Sequence, residues 1–243
     1  MFVFLLIFVF VIFIYIHLLF HWKVSNEIDI AHVMKPSKDN LETIADMREP
    51  FIFENSINSS LHLEGSELLV NIKKMKDTSI RVSHKGMLSA IKKEAYLSED
   101  NNVFLDKTVW NKEWKDLNTY LTPPLNLWEY HDILYGNKGV CTDLRQSLNY
   151  RNYIVVLDGT VEIKLSPPQS EIKKNMNVWE NENNITTILI PLKKGSIIYI
   201  PSYWWWSIKM PEFSSVLLLS YSTYMNALSK LPNKINKLLA SKH

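Results

Sequence analysis

The chain has 243 residues, 47% of them hydrophobic and 21% charged, which is enough apolar side chain for one good-sized core and too much for a disordered polymer. Its 27 Lys and Arg against 25 Asp and Glu leave a formal charge of +2, so no strong field favours nucleic acid and that partner class is set aside. A single cysteine, Cys141, excludes an intramolecular disulfide framework and any zinc site built from several thiolates.

Residues 2–20 carry no charged side chain and are almost entirely Phe, Val, Ile and Leu. At about 1.5 Å per residue a helix of this length spans roughly 29 Å, close to the ~30 Å hydrocarbon core of a bilayer. Tyr15, His17, His21 and Trp22 gather toward its C-terminal end, where amphipathic rings prefer the headgroup level. No Lys or Arg precedes the apolar run and no Ala-x-Ala pattern follows it, so residues 1–22 read as an uncleaved transmembrane anchor rather than a signal peptide. The first positive charges, Lys23, Lys35 and Lys38, all follow the helix, which favours a single-pass protein with a cytosolic body. Asn-x-Ser/Thr sequons at Asn58 and Asn184 point the other way.

Residues 23–48 are polar, mixed in charge and interrupted by Pro36, and read as a tether. Residues 49–225 are expected to form one domain. Short strands are expected at 51–53 and 80–83, with helix-like apolar spacing at 88–96 and 110–120 that Thr122-Pro123-Pro124 terminates. From residue 139 onward the signal is β, with strand-length runs at 153–157, 160–165, 185–190, 196–200 and 215–221 rich in β-branched and aromatic residues. Asp158-Gly159 predicts a tight hairpin, Lys194-Gly195 a second turn, and Pro201 the end of a strand. Several short strands separated by turns argue for a sandwich or barrel. Residues 226–243 regain helical spacing at Leu228, Leu231, Ile235, Leu238 and Leu239 and read as a helical tail.

Two stretches carry a family likeness. Gly136-Asn-Lys-Gly139-Val-Cys-Thr142-Asp-Leu-Arg145-Gln-Ser147, with the strand, glycine turn and Leu165-Ser-Pro167-Pro168 after it, resembles the region around the iron-binding His-x-Asp of Jumonji-C-type cupins. Gly195-Ser-Ile-Ile-Tyr-Ile-Pro201-Ser-Tyr-Trp204-Trp205-Trp206 resembles the same family's strand ending in Ile-Pro-x-x-Trp-Trp-His. The asparaginyl-hydroxylase-like branch is the nearest in pattern. The resemblance implies a mainly β fold, a double-stranded β-helix of the cupin type with flanking helices, behind one transmembrane helix. Richness in Asn, Lys and Ile adds a likeness to degenerate proteins carried by large DNA viruses.

That family's 2-oxoglutarate chemistry needs two His and one carboxylate on Fe(II). Counted from Gly136 and Thr142, the first His falls on Arg145 and the carboxylate on Ser147; counted back from Gly159, they fall on Gln146 and Leu148. The second His falls on Trp206. The lysine that pairs with the co-substrate falls on Val161, and Lys164, three residues on, belongs to the opposite strand face. Thr142 and Asn152 match polar pocket positions of the family.

The expected site is therefore a vacated pocket of Arg145, Ser147 and Trp206, with Thr142 and Asn152 as its polar residues and no metal, cofactor or catalytic residue. Trp206 is expected to fill the old iron position; the alternative is an aromatic platform opposite Arg145 for a flat or anionic ligand. Asp143 is a candidate ion-pair partner for Arg145. His62, His84 and His131 lack ligand-like spacing, with His131-Asp132 expected in a loop, and Cys141 is expected to be a buried small apolar residue. The Lys73-Lys74-Met75-Lys76 run reads as a solvated face or a contact for anionic headgroups. The expectation is a membrane-anchored, non-catalytic binding or structural module whose partners are the bilayer and a protein or small ligand. The alternative is a hydroxylase-like oxygenase with a non-standard metal site.

Overall fold

The computed structural model describes residues 2–54, 68–74, 80–91, 94–107, 111–170, 178–179 and 186–231. His62, both sequons, Met75 and Lys76, and the tail beyond residue 231 lie outside them.

The first element, α1 (Phe2–Trp22), is apolar all round, and His21 is its only buried residue. A helix with no polar stripe and no protein cover is suited to lipid, and this one is long and apolar enough to cross a bilayer.

The body is mainly β, in two sheets. The large sheet holds β1 (Ala31–Val33), β2 (Phe51–Glu54), β3 (Leu69–Lys74), β4 (Ile80–Ser83), β5 (Tyr96–Ser98), β6 (Asn126–Gly136), β9 (Arg151–Asp158), β12 (Ser196–Pro201) and β14 (Ser214–Thr223), in the order β1-β2-β12-β9-β14-β6-β5-β3-β4. The small sheet holds β7 (Val140–Cys141), β8 (Arg145–Gln146), β10 (Thr160–Ser166), β11 (Ile188–Lys193) and β13 (Trp205–Met210), in the order β11-β10-β13-β7 with β8 beside β13. From β6 onward the chain passes repeatedly between the sheets, so strands adjacent in sequence are mostly not paired.

Strand parity explains the core. Ile154, Val156, Ile198, Ile200, Val216 and Leu218 of the large sheet meet Val161, Ile163, Leu165, Ile190, Leu192 and Ile208 of the small one. The alternate residues, among them Tyr153, Val155, Tyr199, Leu217 and Tyr221, face a second apolar layer. That layer comes from α2 (Lys38–Ala45), α3 (His84–Ile91), α4 (Asn102–Lys107) and α5 (Asn111–Leu121), through Leu41, Met87, Phe104 and Leu121 among others. The central strands are thus buried on both faces, which is why they read as unbroken apolar runs rather than alternating ones. Each fully buried Ile or Leu is worth roughly 1.5–3 kcal/mol of transfer free energy.

Several sequence expectations change. The 23–48 stretch is not a free tether: β1 pairs parallel with β2, and α2, capped by the Ser37 hydroxyl accepting the Asn40 N–H at 3.2 Å, buries Leu41 and Ala45. The stretch 88–96 is divided between α3 (His84–Ile91), which starts earlier, and β5, which opens at Tyr96. The strand expected at 185–190 is β11, three residues on, and the eleven-residue β6, which holds His131 and Asp132, stands where a loop was expected. Asp158-Gly159 does not make a hairpin. Gly159, at φ +73°, turns the chain from β9 in the large sheet to β10 in the small one, and Gly195, at φ +85°, returns it from β11 to β12. A positive-φ corner is legible in sequence, but whether its two strands pair is set by what packs between them.

Candidate functional site

Strand register divides the sandwich into two ends. Arg151 opposes Pro201 and Tyr221, while Ser166 opposes Trp205, so these residues share one end with the start of β6. Asp158, Thr160, Lys193 and Ser196 mark the other. The foot of α1 docks at the first end: the Trp22 indole N–H donates to the Ser229 carbonyl at 3.2 Å, in α6 (Tyr224–Ser229). Beside it, the His21 ring meets Tyr150 edge-on at 5.1 Å, and the buried Arg48 guanidinium lies 5.2 Å from Phe20 and 4.6 Å from Tyr150.

The three residues expected at the old ligand positions meet at this same end. β13 carries Trp206 opposite Arg145 of β8, and the Trp206 indole N–H donates to the Ser147 hydroxyl at 3.0 Å. The Arg145 guanidinium lies 5.6 Å from the centre of the Trp206 ring, and its Nη2 donates to Oε2 of Glu99. Ser147 is held from its backbone as well, donating to the Trp204 carbonyl at 3.0 Å and accepting from the Tyr203 N–H. Tyr203, at φ +71°, turns the chain between β12 and β13 so that this contact forms. Of the two registers, it is Arg145 and Ser147 that reach Trp206; Gln146 is exposed and donates to the Tyr203 carbonyl at 3.0 Å.

The polar pocket residues support backbone. Thr142 is buried and its hydroxyl accepts the Ile208 N–H at 3.0 Å. Asn152 donates to the Ile200 carbonyl at 3.2 Å and accepts from the Ser220 hydroxyl at 2.9 Å. Val161 is packed into the inter-sheet core, and Lys164 points to the outer face, donating to the Val178 carbonyl at 3.0 Å with Trp179 4.7 Å away.

Glu99, the partner of Arg145, escaped sequence reasoning. It follows β5, which pairs with β6, and nothing in a spacing pattern links residues 99 and 145. Asp143, the candidate ion-pair partner from the sequence, is exposed. Tyr130 stands nearby, its hydroxyl pushed up to about 12 by burial, then by Asp132, with Arg145 opposing. Asp132, buried in β6, accepts three backbone N–H groups, from Asn101 at 2.5 Å, Ile133 at 2.8 Å and Asp100 at 2.9 Å. Burial outweighs those donors and raises its carboxyl to about 6.

His84 and His131 make different contacts. His84 is buried, stacked on Phe104 at 5.1 Å and edge-on to Tyr135, and His131 bonds Asp106 at 2.6 Å on the surface. Among the described residues no three His, Cys, Asp or Glu side chains stand together as a metal site. Cys141 is half-buried in β7 rather than fully buried. Compared with known proteins, the chain matches no family model and no curated sequence.

Proposed function

We propose that the protein is a single-pass, membrane-anchored, non-catalytic module built on a double-stranded β-helix of the Jumonji-C-like cupin type, with its body on the cytosolic side. The eight strands β6, β7 and β9–β14, passing between two sheets, support that fold reading. The likeness of the Gly136–Ser147 and Gly195–Trp206 stretches supports the family reading.

One observation carries the functional conclusion. At the positions where the resembled enzymes hold iron, this chain has a cluster that satisfies itself: Trp206 bonds Ser147, and Arg145 covers the ring while pairing with Glu99. An indole and a guanidinium donate hydrogen bonds and offer no lone pair to a metal at neutral pH. Ser147 already accepts the indole N–H, and the co-substrate lysine position is Val161 in an apolar core. The cluster holds β8 and β13 together in place of a metal and gives the sheet end a rigid, ordered surface for a partner.

The test is metal content and turnover of the full-length protein purified in detergent. Less than stoichiometric iron or zinc is expected, together with no 2-oxoglutarate decarboxylation above background when Fe(II) and ascorbate are supplied. Stoichiometric metal, or iron-dependent succinate release abolished by changing His62, His84 or His131, would move the assignment to an oxygenase. The placement of the positions is tested by R145H/S147D/W206H: three ligands meeting at one point should confer a melting temperature that rises with transition-metal concentration. A folded triple variant indifferent to metal would refute it.

A further inference from the structure

The end of the sandwich where α1 docks differs from the far end. At the far end exposed charges pair with one another, Lys193 with Glu54 at 3.0 Å and Lys194 with Asp158 at 3.2 Å. Near α1, α6 buries Asn226 and Ser229, and Ser229 receives the Trp22 indole N–H. The opposite side of α6 is apolar and open, with Tyr224 58% and Leu228 43% exposed, and Leu231, just past the Lys230 cap, is 46% exposed. The four-residue spacing of Tyr224 and Leu228 puts them on one side of α6, and Leu231 extends this apolar stripe past the helix end. Exposed Trp128, at the start of β6, lies beside this turn, with the Lys230 ammonium 5.8 Å from its ring.

We infer that this stripe, with Trp128, is a footing that rests in the headgroup layer of the same bilayer that α1 crosses. The occupant follows from continuity. The stripe belongs to the helix that grips the last residues of α1, so a bilayer around α1 begins where α6 stands. A Tyr, two Leu and a Trp are side chains that gain at that level, apolar body in the acyl boundary and, for the Tyr and Trp, polar tip in the headgroups. The footing holds the body against the membrane with the Arg145–Trp206 end toward it. It rests on the reading of α1 as a membrane span.

The experiment keeps the two readings apart. Full-length protein in phosphatidylcholine vesicles carries one environment-sensitive fluorophore on a cysteine placed by Val9→Cys, Leu228→Cys, Leu231→Cys or Lys138→Cys, each in a Cys141→Ser background. Nitroxide lipids and aqueous iodide serve as quenchers. Position 9 should be quenched by deep nitroxides and position 138, exposed at the far end, by iodide alone. Positions 228 and 231 should be quenched by shallow nitroxides at least about threefold more than position 138, as residues at headgroup depth are. If 9 reports lipid while 228 and 231 behave like 138, the footing is wrong and the anchor stands. If 9 also fails to report lipid, the anchor reading itself fails. Shielding of 228 and 231 from both quenchers means that protein, such as a second copy, covers the stripe, and overturns the proposal. Tyr224→Cys gives an independent position on the same stripe if a leucine variant does not fold.

Discussion

Trp206 has two separable roles, volume and hydrogen bonding. Trp206→Ala removes a buried ring and its bond to Ser147, and should destabilise the protein by about 3–5 kcal/mol in chemical denaturation of the detergent-purified chain. Trp206→Phe keeps most of the volume but leaves the Ser147 hydroxyl without its donor, for a loss nearer 1–2 kcal/mol. Adding Ser147→Ala to the Phe variant should cost little more, because the bond is already gone; full additivity would show that the pair is not coupled. Asp132 gives a pH signature. Its carboxyl titrates near 6 in the fold, by burial, against 3.8 in a free chain. Between these values the folded state holds more proton at this group than the unfolded chain. Its contribution is therefore complete below about pH 4 and fades as the pH rises through 6, a swing of up to about 3 kcal/mol. A carboxyl-carbon NMR titration should place its midpoint near 6, and Asp132→Asn should flatten the stability curve across that window. A midpoint below 4 would mean that its three N–H donors outweigh burial.

Among the elements, the corners between sheets are the demanding ones. A Cβ on Gly159 would lie 2.5 Å from the Phe213 carbonyl oxygen and from the Ser214 hydroxyl, on top of the strain of φ +73°. Gly139 has a similar φ of +84° and open space around it. Gly139→Ala should therefore cost about 1 kcal/mol for backbone conformation alone, and Gly159→Ala measurably more, because Phe213 must shift. Equal losses in thermal melts would mean that the corner yields freely. The α2 helix makes a parallel case. Leu41 sits in a stretch that reads as a linker, yet it is buried beside Ala45 against the outer face of the large sheet. Leu41→Ala should cost about 2–5 kcal/mol, as a core truncation does. A change within about 0.5 kcal/mol would return the segment to the status of a tether.

At the scale of the whole molecule, α1 is the element on which the membrane reading rests. Phe2–Trp22 exposes nearly its whole apolar surface, whereas its last turn is bound into the body through His21 and Trp22. The mature protein should keep residues 2–20 and remain in the membrane pellet through alkaline carbonate washing. Mass spectrometry finding a mature N-terminus beyond residue 20 would identify a cleaved signal instead. With His21 and Trp22 bound to Tyr150 and Ser229, the body should not swing on a flexible linker.

What the sequence determined by itself was whatever depends on local composition and covalent geometry. An uninterrupted apolar run needs no tertiary partner to be suited to lipid, β-branched runs favour strands, Pro123-Pro124 ends α5, and glycines mark positive-φ corners. The candidate site was legible only in part. Arg145 and Ser147 were picked out by counting from Gly136 and Thr142, and Trp206 from the stretch that ends in it, whereas counting from Gly159 gave Gln146 and Leu148; that Ser147 and Arg145 lie against Trp206 is a tertiary contact. Glu99 could not be found at all, because the β5 strand before it is placed by pairing with β6 and Arg145 by the pairing of β8 with β13, and no spacing along the chain links the two. The same holds for β6, whose charged and exposed first half hides a central strand, and for the pairing of β1 with β2. Strand neighbours, buried ion pairs and the docking of α6 on α1 are long-range choices. They are settled by which apolar faces must cover one another, and a single strand or helix does not encode its partner.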